Sequence, residues 1–254
     1  MDTGPDIAEP VYDRIGVNYN RGRRADPRWQ AALNDCLGTA TTIVNVGAGT
    51  GSYEPADRYV LAVEPSGAMI AQRPQGAAPA LQAHAENLPI ADKQFDVAMA
   101  LVTLHHWSDW QGGVREMLRV ARRVVVLHFD PVVHTDFWLV RDYLPELVDA
   151  WVEVPSVQDV AAATGPAAEA RVLPVPWDCV DGFLPAYWRR PEAYLDAEVR
   201  QTMSGLQLLD PDVLSRGISA LQRDLADGTW RTRNKVLLGR DSLDVGWRLI
   251  STTG

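Results

Sequence analysis

Ile43-Val44-Asn45-Val46-Gly47-Ala48-Gly49-Thr50-Gly51, followed by Val60-Leu61-Ala62-Val63-Glu64, is the stretch that decides how this chain folds. A mostly β-branched run ends at glycines on alternate residues, and a second short apolar run ends at a single carboxylate. That order reads as a buried strand, a turn whose bare backbone admits a ligand, and a second, parallel strand. Glycine permits positive φ there and carries no side chain to hold the ligand off. An acid at the tip of the second strand can accept from both hydroxyls of a ribose. The pattern points to a nucleoside-containing cofactor.

Spacing separates two kinds of nucleoside site. A dinucleotide fingerprint has the form G-x-G-x-x-G and aims a helix N-terminus at a pyrophosphate. Here the third glycine comes one residue early, and Ser52 stands where the last would be. The segment from Ser52 to Arg58 contains Pro55, and the whole link sits near the roughly 10–12 residue minimum for a parallel crossover. A pyrophosphate would lose its helix-dipole partner in so short a link. This disfavours a nicotinamide-dependent oxidoreductase. S-adenosylmethionine carries no phosphate and needs no such helix.

Further motifs follow in order: Ala83-His84-Ala85-Glu86-Asn87-Leu88-Pro89-Ile90, then Phe95-Asp96-Val97, then Leu101-Val102-Thr103-Leu104-His105-His106-Trp107-Ser108-Asp109. Together with the glycine turn and Glu64, they resemble the class I S-adenosylmethionine-dependent methyltransferases, in their ubiquinone/menaquinone-methyltransferase-like small-molecule branch. The resemblance covers residues 10 to 130 well and extends weakly to Asp244-Val245-Gly246-Trp247-Arg248-Leu249-Ile250, which is similar to that family's last strand. It implies one domain, with residues 1–40 as an N-terminal helical segment, 41–130 as the cofactor-binding core, and 131–254 as the acceptor side. Asn45 departs from the pattern, since relatives commonly carry an acid there, and a non-catalytic cofactor-binding protein stays open on that account.

Composition fits an enzyme of this kind. The chain has 254 residues, 46% of them hydrophobic, enough for one sizeable core. A net charge of −9 gives no footprint for nucleic acid. The two cysteines, Cys36 and Cys179, are isolated and read as free thiols in a reducing cytosol. No apolar run approaches the roughly 18 residues of a membrane span, and no signal peptide is evident, so a cytoplasmic location is expected. Oligomeric state is not legible.

Strands are expected at Thr42–Val46, Tyr59–Val63, Ala80–Ala83, Phe95–Ala100, Arg123–Phe129, Val172–Val175 and Val245–Ser251. Helices are expected at Pro27–Leu37, after Ser66, after Ser108 or Asp109, from Val133 to Trp151, at Val157–Thr164, Pro191–Leu206 and Pro211–Ala226. Gly112 and Gly113 weaken the helix after the fourth strand. Strands alternating with helices give an α/β fold: a Rossmann-like, doubly wound, seven-stranded and mostly parallel sheet. The resemblance adds an antiparallel last strand, preceded by a helical lid. Ligands of such sheets bind outside the carboxyl ends of the strands, where the order reverses. Gly47–Gly51, Glu64, Ala85 and Leu101 would meet on that edge.

The resemblance implies S-adenosyl-L-methionine as cofactor and S-adenosyl-L-homocysteine as product. Gly47, Ala48 and Gly49 would lie against the methionine and ribose portions, and Glu64 would accept from the ribose hydroxyls. Pro65, Ser66 and Met69 would flank the adenine, although ordinary helix packing explains Met69 equally well. His84, Ala85 and Glu86 would meet the adenine edge; the family often has Asp or Asn where this chain has His84, and Glu86 reads equally as an exposed loop charge. Leu101 would offer its carbonyl to the amino group of the methionine moiety. The segment holding Tyr19 and Arg23 resembles the family's opening helix, where an arginine could pair with the methionine carboxylate and Tyr19 close over the sulfonium.

Methyl transfer to a hydroxyl also needs a base, and His106 and His128 follow the fourth and fifth strands. A carbon or neutral amine acceptor needs none, and both histidines read equally as structural. No spacing of acids or histidines suits a bound metal. Nine tryptophans suggest aromatic walls for a flat or apolar small-molecule acceptor, with Trp107, Phe137, Trp138, Tyr143, Tyr187, Trp188 and Trp230 as candidates, although most of these rings are expected simply to fill the core.

Overall fold

The computed structural model describes residues 23–252, so Tyr19 lies outside the described residues. The strands are Thr42–Val46 (β1), Tyr59–Val63 (β2), Ala80–Leu81 (β3), Phe95–Leu101 (β4), Ala121–Phe129 (β5), Ala168–Val172 (β6), Val175–Pro176 (β7), Ser242–Leu243 (β8) and Trp247–Thr252 (β9). Seven of them form one sheet in the order β3-β2-β1-β4-β5-β9-β6, and β7 pairs with β8 in a small separate ribbon. β1 runs parallel to β2, with Val46 opposite Val63, and parallel to β4, with Ile43 opposite Val97. β9 is antiparallel to both β5 and β6. The chain leaves β1 toward β2 and β3, then returns to β4 on the other side. The order therefore reverses beside β1, and the glycine turn sits at that switch point.

Alternation along the strands feeds two cores. Val44, Val46, Ala98, Ala100, Val124 and Val126 pack with Val114, Met117 and Val120 of the helix Trp110–Val120 and with Val157 and Val160 of the helix Val157–Thr164. The opposite alternation, with Ile43, Val97, Met99, Val125 and Leu127, packs with Trp29, Leu33 and Leu37 of the helix Pro27–Leu37. The segment inserted before β9 joins this second core through Trp188, Tyr194 and Trp230. Capping follows local chemistry. Asp26 accepts from the Arg28 amide, Ser66 from Met69, and Asp210 from Asp212 and Val213.

Three expected elements differ. The apolar stripe from Val133 to Trp151 is buried at Phe137, Val140, Leu144 and Leu147, but it is broken into Pro131–Thr135, Trp138–Tyr143 and a 3-10 stretch Pro145–Trp151. Pro145 has no amide hydrogen and drives Leu144 out of the helical region. Pro191–Leu206 is likewise divided, because the Asp196 carboxylate starts a new helix, Ala197–Gln201, by accepting from Glu198. The sixth strand lies a few residues earlier than expected. β6 is an edge strand and mostly exposed, so no apolar run marks it.

Candidate active site

Gly47, Gly49 and Gly51 all have positive φ, at 68°, 52° and 91°. At Gly47 the demand is also steric, since a Cβ there would lie 2.2 Å from Thr103 Oγ1 on the loop after β4. The amides of Gly47 and Ala48 both donate to the Val63 carbonyl, at 2.8 and 3.0 Å, which folds the turn over the end of β2. Glu64, 6% exposed, accepts from the Gly49 amide at 2.7 Å and from the Ser66 amide at 2.9 Å. Each carboxylate oxygen thus holds one loop. Pro65 and Ser66 lead into the short helix Gly67–Ala71, whose buried Met69 brings Cε within 3.3 Å of where a Gly49 Cβ would stand.

Across the edge, Ala85 is buried while His84 and Glu86 join Ala83, Asn87, Pro89 and Ser108 around a cleft of about 460 Å³. Glu86 has a local task there. It accepts from Ser108 Oγ at 3.0 Å and from the Asp109 amide at 3.2 Å, tying the loop after β3 to the start of the helix Trp110–Val120. Leu101 ends β4, and Val102 beyond it has φ of 57°. For a β-branched residue that conformation costs on the order of 1–3 kcal/mol and is typical of functional edges.

Thr103 and Trp107 form a unit that sequence reading missed. Trp107 Nε1 donates to Thr103 Oγ1 at 3.2 Å, and a Cβ on Gly113 would meet the Trp107 ring at 2.3 Å and Ala85 Cβ at 3.2 Å. Gly113 is a seat for that ring, not merely a weak helical residue. Gly113→Ala is expected to cost about 1–3 kcal/mol by overpacking and to move the Trp107 ring. Urea unfolding and tryptophan fluorescence would check this. Gly205→Ala, whose Cβ would meet only an ordinary 3.8 Å contact with Leu147, serves as the control.

The histidines divide by position. His105 and His106 lie in the 3-10 turn Leu104–His106, with ring centroids 3.9 Å apart. The His106 residue reaches solvent, while protein crowding of its ring desolvates the imidazole and holds it down at about 4. His128 is fully buried and lies on the same strand alternation as Val124 and Val126. Its Nε2 lies 2.9 Å from the Pro155 carbonyl and, facing an acceptor, carries the hydrogen that donates to it. Burial lowers its pKa. The expectation of a base at His128 gives way to a structural bond beneath the helix Val157–Thr164.

Arg23 also requires correction. Its Nε and Nη2 donate to Asp181 Oδ1 and Oδ2, at 2.5 and 3.1 Å, so its fork is engaged by a protein carboxylate. Tyr53 Oη donates to the same Asp181 at 2.9 Å and accepts from the Asp26 amide at 3.1 Å. Burial, with Asp181 adding to it, raises the Tyr53 pKa, so the phenol stays a donor. Tyr53 stands two residues past Gly51, and Asp181 thereby joins the glycine turn to the inserted segment. Among the described residues, no group of histidine, cysteine or acid side chains is placed to hold a metal ion, and no helix is long and apolar enough to cross a membrane.

Turn, acid and switch point together fit a nucleoside cofactor without a pyrophosphate. Comparison with known proteins agrees. Residues 44–129, which run from β1 to the end of β5, match the family described as a methyltransferase domain. A solved structure from Anabaena variabilis, of a protein assigned as a methyltransferase from an antibiotic biosynthesis pathway, is 32% identical and superposes with a TM-score of 0.85. That alignment covers 92% of this chain and 99% of the other. The chain therefore belongs to the class I S-adenosylmethionine-dependent methyltransferases. A demethylmenaquinone methyltransferase of Corynebacterium urealyticum is 25% identical over 171 residues, 61% of this chain and 74% of its own length. The uncharacterized Escherichia coli protein YafE is 31% identical over 84 residues, 32% of this chain and 39% of its own length.

Proposed function

We propose that this methyltransferase acts on a small, flat or apolar molecule of specialised metabolism, using S-adenosylmethionine held between the glycine turn and Glu64. The observation that carries the cofactor placement is the Glu64 carboxylate clamping the Gly49 amide at the point where strand order reverses. In this reading Gly47, Ala48 and Gly49 approach the methionine and ribose, and Glu64 accepts from the ribose hydroxyls. Pro65, Ser66 and Met69 flank the adenine, with His84, Ala85 and Glu86 at its edge and the Leu101 carbonyl toward the amino group. When bound, the cofactor supplies a methyl already activated as a sulfonium. The chain's work is then alignment and exclusion of water, and positioning can supply about 7–11 kcal/mol in ideal cases.

Rings extend from this edge. The His105 ring lies 5.4 Å from Phe129, Phe129 4.8 Å from His134, and His134 5.2 Å from Trp151 and 5.6 Å from Trp247. Burial pushes the imidazole of His105 well below its usual range and that of His134 down to about 4, so this layer is uncharged near neutral pH. Phe129, His134 and Trp247 are core residues behind the edge, and their uncharged, apolar surroundings support an apolar acceptor. The antibiotic-pathway and menaquinone relatives support a small molecule over a macromolecule.

Calorimetry with S-adenosylhomocysteine, followed by methyl incorporation from labelled cofactor into a panel of phenols, quinols, amines and carbon acids, tests the reading. Binding and labelling of at least one small acceptor are expected; labelling of protein or RNA alone would overturn it. For a hydroxyl acceptor, His106 is the proposed base, its neutral imidazole taking the proton. His106→Ala should then slow turnover roughly 10²–10⁴-fold and leave cofactor affinity unchanged. A fall in affinity instead would place the ring in the cofactor wall.

A further inference from the structure

Gly49 is held from both ends. Its amide donates to Glu64, while its carbonyl accepts from Arg73 Nη1 at 3.3 Å. Arg73 lies just beyond the helix Gly67–Ala71, and its Nη2 donates to Glu54 Oε2 at 2.6 Å and to the Ala78 carbonyl at 3.1 Å. The Arg73 and Glu54 side chains are 5% and 8% exposed. Glu54 Oε1 in turn accepts from Asn45 Nδ2 at 2.9 Å, and Asn45 is a buried residue of β1. The chain of contacts runs from the strand, through Glu54 three residues past the turn, to the arginine and back to the turn.

Gly51 belongs to the same construction. A Cβ there would lie 3.0 Å from both Arg73 Nη1 and Glu54 Oε2. The third glycine, one residue early for a dinucleotide, makes room for an ion pair beneath the turn and not for a ligand above it.

A buried ion pair is a poor source of net stability, since an apolar pair of similar volume often does as well. What it supplies is direction: a planar fork making several bonds at fixed angles. We infer that Arg73, Glu54 and Asn45 are positioning residues that set the Gly49 peptide for cofactor binding, acting through the turn. This rests on the cofactor reading proposed above.

Arg73→Lys keeps the charge and loses the fork. It is expected to weaken S-adenosylhomocysteine binding about tenfold, the loss of one good hydrogen bond. The KM for S-adenosylmethionine should rise in step, with kcat at saturation and the acceptor KM unchanged. A merely structural role would lower Tm and the active fraction and leave KM alone. Should the lysine variant not fold, the E54M/R73M pair removes both charges together, and the same affinity loss is expected of it.

Asn45→Asp adds an independent readout. It sets a second carboxylate against Glu54, in a cluster whose other charged groups are Arg73 and, through Gly49, Glu64. The two facing acids must then share a proton, which raises one of their pKa values. Cofactor affinity of this variant should be greatest at low pH and fall as the pH rises through that value, where the wild type shows no such fall. A folded Arg73→Lys or paired variant binding S-adenosylhomocysteine like the wild type, or an Asn45→Asp variant with the wild-type pH profile, would overturn the inference. Absence of binding by the wild type itself would sink the cofactor reading first, and this one with it.

Discussion

Glu64→Ala is expected to weaken binding of S-adenosylhomocysteine by about 1.5–3 kcal/mol, the scale of hydrogen bonds to a charged group. The carboxylate has one task that the structure shows and one that is proposed for it. It holds the amides of Gly49 and Ser66, and so fixes the turn against the start of the following helix. The proposed cofactor reading adds the ribose hydroxyls. Alanine removes both tasks, and glutamine is little better, because its NH₂ group would face one of two backbone donors. The tasks separate in a cycle that pairs Glu64→Ala with an S-adenosylhomocysteine analogue lacking the ribose hydroxyls. Calorimetry should give a coupling of about 0.5–3 kcal/mol between side chain and hydroxyls. Zero coupling with weakened binding would leave Glu64 as a loop clamp only; an unchanged dissociation constant would remove it from the site.

What was legible beforehand was local. Strands buried on both faces read as continuous apolar runs, which is why Thr42–Val46 and Tyr59–Val63 emerge with their ends in place. The helices capped by Ser156 and Asp210 were equally plain, since a side chain and an amide two or three residues on settle each start. The same double burial hid the fate of His128. Val124 and Val126 alternate with Val125 and Leu127, both sets are apolar, and nothing in that pattern tells which set abuts which helix. Gly113 gave a signal that was read as helix weakness, because the ring it accommodates lies outside the helix. Arg23 reads as a partner for the methionine carboxylate, and the carboxylate it engages in the fold, Asp181, stands 158 residues away. Pairings at that range follow from topology and leave no trace in spacing.

That distant partner is where the largest loss of stability is expected. Asp181→Ala should destabilise the fold by about 3–5 kcal/mol, the cost of breaking a buried ion pair by removing one member. Asp181 is 1% exposed and receives two Arg23 nitrogens and the Tyr53 hydroxyl. Its removal takes the carboxylate from a nearly buried guanidinium and the acceptor from a buried phenol. Tyr53→Phe deletes one of those bonds and also takes the acceptor from the buried Asp26 amide, so it should cost about 1–3 kcal/mol, and the two substitutions combined should fall short of additivity by about 0.5–3 kcal/mol. Urea unfolding would supply all three values. Because Tyr53 follows the glycine turn and Asp181 lies in the segment inserted before β9, loosening this contact should also weaken S-adenosylhomocysteine binding. A loss below about 1 kcal/mol would rank the pair with exposed salt bridges, and the turn and the inserted segment would then be joined by apolar packing alone.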